Sequence, residues 1–520
     1  MKWLLVVLGT AQCLQIALTA KILALCAVAS HSHSLWCYRF MAVLAERGHQ
    51  ITVFGVDHPK ITIPNLKTFI AEDVYKAFEA SQDLSDSWAS LSPDSKIGSM
   101  YLFQSWLEIS TKPIMRSKAL KDLINEYRDF EKPFDLIIHD DGSAEALLGL
   151  VPLFGNPPLL LATTYGTPQW MTSRLGNFFN PAYVPNMISD FDQHMTFWER
   201  CENTFYYLFV EWFVRTKFDP FQEKMKQEVF GKNLPHVRDI AKRANVVIVN
   251  HHPALNEPRP FLPGVIGIAG LHISDPQPLP KDIQEFMDGA ENGVILICFG
   301  TNIDSTWFSQ DFETQILQAF EGLPQRVLWK WDKELKNVPS NVKISKWLPQ
   351  GDMLVHPKMR LFITHCGLLS TQEAIFRQVP ILALPVFLDQ RGNAEKLVRR
   401  NLTKILDVGQ LTAEGLRNGI NEILSNPMYK HNIEKLGKLF VDSPQTAAQQ
   451  AVYWTEYLIS HHGAPHLYSP AKDLPWYQLL LLDVIALVAA IVIITVWLVK
   501  KLVMLVIGPL LGGKIKNKTD

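Results

Sequence analysis

The sequence predicts an α/β protein built as two successive halves of alternating strand and helix, followed by one C-terminal transmembrane helix. Three observations carry that prediction. Short apolar runs the size of buried parallel strands recur in both halves, with stretches of helical spacing between them. A proline-rich stretch at 253–280 divides the halves, a composition that favours an extended, stiff connector. Residues 479–499 then form an apolar segment whose only acid is Asp483. As a helix it spans about 31 Å, the thickness of a bilayer's hydrocarbon core.

Residues 1–20 read as a secretory signal: Lys2 is the basic start, 3–8 the apolar core, and Leu18-Thr19-Ala20 the small-residue exit. The first half, 21–252, is expected to open with a strand at 22–28 and a helix at about 35–47 that Gly48 caps, then a strand at 51–54. Further strands are expected at 134–138, running into His139-Asp140-Asp141, and at 159–162. From about 171 to 242 the pattern turns aromatic and irregularly helical, which suits an acceptor-facing segment or a membrane-surface flap. In the second half, 281–460, a strand at 294–298 ends in Phe299-Gly300-Thr301-Asn302, and strand and helix alternate through Asn393. A helix is expected at 445–460. A membrane-proximal segment (461–478), the span (479–499) and a tail (500–520) complete the chain. Lys500 and Lys501 directly after the span put the tail on the cytoplasmic side and nearly everything else outside the cytosol, a single-pass type I arrangement.

At 520 residues the chain can bury two or three cores, and a formal charge of −1 with no basic stripe argues against a nucleic-acid partner. Fourteen tryptophans suit a large apolar binding cleft. The six cysteines are scattered, with no metal-ligand spacing; they make a poor disulfide framework that leaves room for one pair. Asn401-Leu402-Thr403 is the glycosylation sequon outside the tail, and Asn517 is a second match within it.

The most informative stretch is 347–393. Two apolar runs, 361–363 and 381–384, flank a helical segment that opens on Thr364-His365-Cys366-Gly367. A strand, a glycine turn and a helix N-terminus together make an anion site, because free N–H groups and the positive end of the helix dipole point above the turn. Polar residues recur at the strand ends: Gln350, His365, Ser370, Glu373, Asp389, Gln390 and Asn393. That edge is where an open α/β sheet holds its ligand.

With its Trp-x-Pro-Gln, His-Pro, Phe-Ile-Thr-His, Glu-Ala and Asp-Gln-x-x-Asn elements, this stretch resembles the donor-binding signature of the UDP-glycosyltransferases. The resemblance is to the membrane-bound UDP-glucuronosyltransferase branch, most like its arthropod members. It implies two facing Rossmann-like domains of the GT-B type, the first binding the acceptor and the second the UDP-sugar. It implies that Trp347 stacks on uracil, Gln350 contacts the base and Glu373 takes the ribose hydroxyls. His365 and the turn at Gly367 would take the diphosphate, with Thr301 as a second phosphate contact, and Asp389 and Gln390 the sugar hydroxyls. Ser370 and Asn393 complete the donor set. Arg259 matches an arginine that relatives use near the diphosphate or a uronate; the other reading is a residue that packs the linker.

The family's general base lies sixteen residues before the His of a Gly-His pair, which from Gly48-His49 gives His33, with His31 as the alternative. An imidazole titrates near neutrality and suits that work. Asp140 is the implied orienting acid and Asp141 the lesser choice; either could instead cap the next helix. Two departures stand out. Cys366 replaces a glycine, as in some plant relatives, and Gln378 stands where a glycine commonly precedes Val-Pro, on the far side of the helix.

The implied reaction is an inverting hexosyl transfer to a hydroxyl of a small lipophilic acceptor such as a phenol or plant toxin, with no metal or other cofactor. Glucose is the favoured donor sugar and glucuronate the alternative. Lysines third and fifth from the end look like a dilysine retrieval signal for the endoplasmic reticulum. A homo-oligomer is left open. A Rossmann oxidoreductase fits poorly, since 27–34 contains no glycine. A binding protein that has lost turnover and a lipid-sugar transferase are the remaining rivals.

Overall fold

The computed structural model describes residues 19–512 except 82–95, 143, 302, 304 and 387–388. The signal reading, the dilysine tail, Asn302 and the Asn517 sequon therefore fall wholly or almost wholly outside the described residues. The chain forms two compact units, 1–468 and 469–520.

The first unit holds two parallel sheets. β1 (Lys21–Cys26), β2 (Gln50–Gly55), β3 (Leu66–Ile70), β4 (Leu136–Asp140), β5 (Leu159–Thr163), β6 (Val246–Val249) and β7 (Val265–Gly267) are ordered β3-β2-β1-β4-β5-β6-β7. β8 (Val294–Cys298), β9 (Arg326–Lys330), β10 (Val342–Ser345), β11 (Met359–Thr364) and β12 (Ile381–Ala383) are ordered β10-β9-β8-β11-β12. Runs such as Val246–Val249 and Val294–Cys298 are buried at every position, because helices cover both faces of each sheet. In both sheets the strand order reverses beside the first strand of the half, between β1 and β4 and again between β8 and β11. The crevice at such a reversal, at the strands' C-terminal ends, is where doubly wound sheets bind ligands.

Four helices position the site. α1 (His31–Glu46) follows β1, α2 (Leu368–Phe376) follows β11, and α3 (Gln390–Val398) follows β12. α4 (Ala447–Ser460) returns to the first half, where Ala451 and Leu458 join the core containing Ile22, Ala24 and Phe40. Arg47 Nε donates to Glu456 Oε1 at 3.1 Å along the same seam. The region expected to be irregular contains a long helix, Phe197–Phe213, with a capping box formed by Thr196 and Glu199.

The structure differs from the expectations at several points. α1 begins at His31, not near 35, so His31 and His33 lie in its first turn and not in a loop. Ser30 caps it in extended conformation, its hydroxyl turned to Ser32 Oγ at 3.0 Å and not to the helix's own N–H groups. Within the proline-rich stretch, Val265–Gly267 pairs with β6 as the seventh strand of the first sheet, because three residues suffice for an edge strand between prolines. Cys26 and Cys37 form a disulfide that ties the end of β1 to α1, with Cα atoms 6.1 Å apart. The pairing is local because α1 folds straight back along the strand that precedes it.

The second unit contains α5 (Leu482–Gly512), of which residues 482–507 are long and apolar enough to cross a membrane. The helix continues past Lys500 and Lys501, where the sequence reading ended the span. Their aliphatic stems are compatible with a helical apolar surface while the ammonium groups reach for polar surroundings.

Candidate active site

A cavity of about 480 Å³ opens between the two sheets, lined by His33 and Tyr165 from the first half and Trp347, His365, Glu373 and Asp389 from the second. A smaller one of about 70 Å³ shares Tyr165 and Asp389 with it and is otherwise lined by groups such as Met100, Phe103, Trp170, Met187 and Ile188. Part of the aromatic 171–242 region therefore faces a cavity rather than solvent.

On the first side, β1 and β4 deliver His33 and Asp140 to the reversal point. His33 is buried, and its Nδ1 lies 3.6 Å from Asp140 Oδ2. Neither oxygen of Asp140 has a hydrogen-bond partner among the described residues. Burial pushes the Asp140 carboxyl above its ordinary range, and the neighbouring His33 pulls the other way. Thr164 Oγ1 lies 2.6 Å from His33 Nε2 and 2.9 Å from Nδ1, so it can serve either ring nitrogen. The alternatives are committed elsewhere. His31 Nδ1 pairs with Asp57 at 2.9 Å and stacks on Tyr75. Asp141 accepts from Arg174 at 2.7 Å and from the Trp170 indole at 3.1 Å.

On the second side, the turn between β11 and α2 carries the donor set. Burial lowers the His365 pKa to about 4, with Lys330 adding to the effect, so its imidazole is neutral at physiological pH. It sits between two glycines. A Cβ on Gly300 would fall 2.7 Å from His365 Cε1, and one on Gly367 would fall 2.5 Å from Nε2. Gly300 also has φ of 78°, a second reason for glycine there. Thr301 lines the cavity with a buried hydroxyl that has no partner among the described residues, a donor available to a phosphate oxygen. Lys330, at the end of β9, also lines the cavity and donates to Gly300 O at 2.8 Å. It was missed in the sequence; the one signal was its place at the end of an apolar run.

Gln350 Nε2 donates to Ser370 Oγ at 3.0 Å and to Glu373 Oε2 at 2.6 Å. Burial raises Glu373 to about 7. Trp347 is half exposed, and the Lys60 ammonium stands 3.9 Å from its ring centroid, a cation–π contact from the opposite half. Asp389 caps α3 and accepts from Asn393 Nδ2 at 2.8 Å; burial raises its carboxyl too. Gln390 also lines the cavity, its Oε1 accepting from Val386 N.

Asp140 stands behind His33 and does not line the cavity, and two of the expected donor residues, Asn393 and Arg259, are not brought into it either. Asn393 donates to Cys366 O at 3.2 Å, so it ties the His365 turn to α3 from behind. Arg259 lines neither cavity. Its guanidinium is buried against Thr167, Glu257 and the Phe179 ring, which is the linker-packing reading. The chain folds the linker against the first sheet, and Arg259 compensates buried Glu257 together with Lys396. Asn401 is exposed at the turn after α3, accessible as a sequon requires.

Both departures from the family pattern have a backbone consequence. Cys366 has φ of 61° and Gln378 has φ of 59°, the left-handed region where glycine is at ease. Gln378 follows the end of α2, with Gln378 N bonding Ile375 O and Val379 N bonding Ala374 O, a helix stop that favours glycine. Gln378→Gly is expected to stabilise the fold by about 0.5–1 kcal/mol, read as a higher midpoint in thermal denaturation.

Two facing doubly wound sheets, with a buried His–Asp pair on one edge and a glycine-turn anion site on the other, define a glycosyltransferase that uses a nucleotide sugar. Residues 20–517 match the family described as UDP-glucoronosyl and UDP-glucosyl transferase, and the chain belongs to that family. It is a UDP-glycosyltransferase whose donor is a UDP-sugar. The UDP-glycosyltransferase UGT5 of Dactylopius coccus is 33% identical over 91% of this chain and 89% of that protein. Human UDP-glucuronosyltransferase 2B17 is 29% identical over 94% of each. Among solved structures, a UDP-glucosyltransferase from Polygonum tinctorium capable of glucosylating indoxyl, in complex with 3,4-dichloroaniline, aligns with a TM-score of 0.57. It is 16% identical, over 85% of this chain and 99% of that one, a likeness of fold alone.

Proposed function

We propose that the enzyme transfers a hexose, with glucose favoured, from its UDP-sugar to a hydroxyl of a small lipophilic acceptor by a single inverting displacement. The carrying observation is the buried His33–Asp140 pair at one reversal point, in the same cavity as the His365 turn at the other. His33 takes the acceptor's hydroxyl proton as the new oxygen–C1 bond forms and the C1–phosphate bond breaks, and Asp140 stabilises the resulting imidazolium. UDP leaves onto the N-terminus of α2, with Thr301, His365 and Lys330 around it. These groups supply the positive charge and donors that the leaving diphosphate needs, which supports a reaction without a divalent cation. The apolar cavity beside Tyr165 suits a flat lipophilic acceptor.

Glucose is supported over glucuronate by the likeness to arthropod relatives and by the withdrawal into the linker of Arg259, which relatives use near the diphosphate or a uronate. Supplying the membrane-bound enzyme with each UDP-sugar in turn and detecting the transferred sugar on a phenol panel tests this; turnover with UDP-glucuronate alone would reverse it. We place the catalytic unit in the lumen of the endoplasmic reticulum, anchored by α5; cell-surface localisation of a tagged chain would count against that.

Glu373 gives a pH-dependent expectation. As a carboxylate it can accept both ribose hydroxyls; once protonated it loses part of that capacity. Its pKa of about 7 means the accepting form is lost as pH falls through that value. Donor KM is expected to rise below it, and Glu373→Ala to show a KM raised about tenfold at every pH. A flat donor KM in the wild type across that range would remove Glu373 from the ribose site.

A further inference from the structure

A buried polar chain runs from the donor helix to the general base. Gln372 lies on α2, directly before Glu373 in sequence. Its side chain is turned away from the cavity and is fully buried. Gln372 Nε2 donates to Asn250 Oδ1 at 2.7 Å, and its Oε1 accepts from Gly270 N at 3.1 Å. Asn250, the residue that follows β6, is equally buried. Its Nδ2 donates to Thr164 O at 2.9 Å and its backbone N to Tyr165 O at 3.0 Å. Thr164 and Tyr165 in turn hold His33, the first through its hydroxyl and the second by its ring, set edge-on with centroids 5.0 Å apart.

Every amide atom that Gln372 and Asn250 offer along this path has a partner, and the path joins the two halves. Buried amides fully satisfied in this way admit few alternative arrangements, because each broken bond leaves an unpaired group away from water. A shift of α2 is therefore transmitted to the loop that orients the imidazole. We infer that Gln372, through Asn250, is a positioning residue that couples the donor helix to the orientation of His33. The inference rests on His33 being the base.

The test uses the full-length enzyme in membranes, with Gln372→Met, which keeps length but removes both bonds, and the pair Thr164→Val and Thr164→Ser at the other end. Gln372→Met is expected to lower kcat about ten- to a hundredfold and to displace the limb of the kcat pH profile that depends on the base, with UDP affinity by titration changed less than about twofold. Thr164→Val is expected to do the same, and Thr164→Ser, which keeps the hydroxyl, to restore it. The coupling is overturned if kcat and its pH profile stay as in the wild type. It is equally overturned if kcat falls with an unmoved pH profile and a matching loss of UDP affinity, the pattern of general disorder. If Gln372→Met does not fold, the Thr164 pair decides, and equal behaviour of Val and Ser overturns the proposal. His33→Ala run alongside separates the two readings: wild-type turnover there removes the base itself, whereas an inactive His33→Ala beside a normal Gln372→Met removes only the coupling.

Discussion

His33→Ala is expected to lose about 10²–10⁴-fold in kcat while UDP-sugar binding stays close to wild type. The separation follows from the fold. His33 belongs to the first turn of α1, and the UDP-sugar contacts proposed above come from strand ends and helix starts of the second sheet. Removing the imidazole leaves those contacts intact but strands the acceptor proton, since Asp140 lies behind His33 and is not among the residues lining the cavity. Single-turnover measurement with saturating donor reads the loss directly. Near-normal turnover would pass the role to His31, whose pairing with Asp57 makes it a second His–carboxylate pair lining the same cavity. The readout that distinguishes them is the His31→Ala variant, expected to keep kcat within a few-fold because His31 is held by Asp57 and Tyr75 instead of the buried acid.

Asp140→Asn should carry the second largest effect, and with opposite signs for activity and stability. A carboxylate 3.6 Å from an imidazolium, at an effective dielectric of about 20, is worth roughly 4–5 kcal/mol at most, so kcat should fall by about 10²–10³-fold. The same carboxylate is buried with no hydrogen bond, and its pKa is raised. A raised folded-state pKa means that the fold favours the protonated acid. That contribution is fully present below the ordinary carboxyl range and is lost as pH rises through the folded value. Above that value the wild type holds a buried charge that asparagine lacks, and His33 offsets its desolvation only in part. The variant is therefore expected to melt higher than the wild type at neutral pH, with the gap closing in acid. Equal melting at neutral pH, or an unimpaired kcat, would mean that Asp140 is neither destabilised nor catalytic. Sites that break local rules at a cost in stability are where function is expected to reside.

The donor turn was legible because all its parts are contiguous: an apolar run, a glycine turn and a helix start lie within a dozen residues, and their order alone makes an anion site. The polar end of the strand at 139–141 was legible for a similar reason, whereas the choice of Asp140 over Asp141 came from the family resemblance. The start of α1 was not legible, because the Ser-His-Ser-His-Ser run carries no helical periodicity. Arg259 was left between two readings because a motif match names a residue but not the direction in which a folded linker turns it. Lys330, Thr164 and Lys60 were missed because each matters only through a neighbour far away in the chain.

The amino-acid order by itself determined that there are two strand–helix halves and an apolar C-terminal helix, and that an anion-binding turn lies within the second half. Those properties depend on periodicity and on short-range geometry, which the chain writes locally. Only the tertiary structure decided which histidine meets which acid, that Arg259 faces the linker, and that Gln372 reaches Asn250 and, through its loop, His33. Such pairings depend on where the two sheets reverse and how closely the halves approach, and no local pattern encodes a contact between residues more than a hundred positions apart.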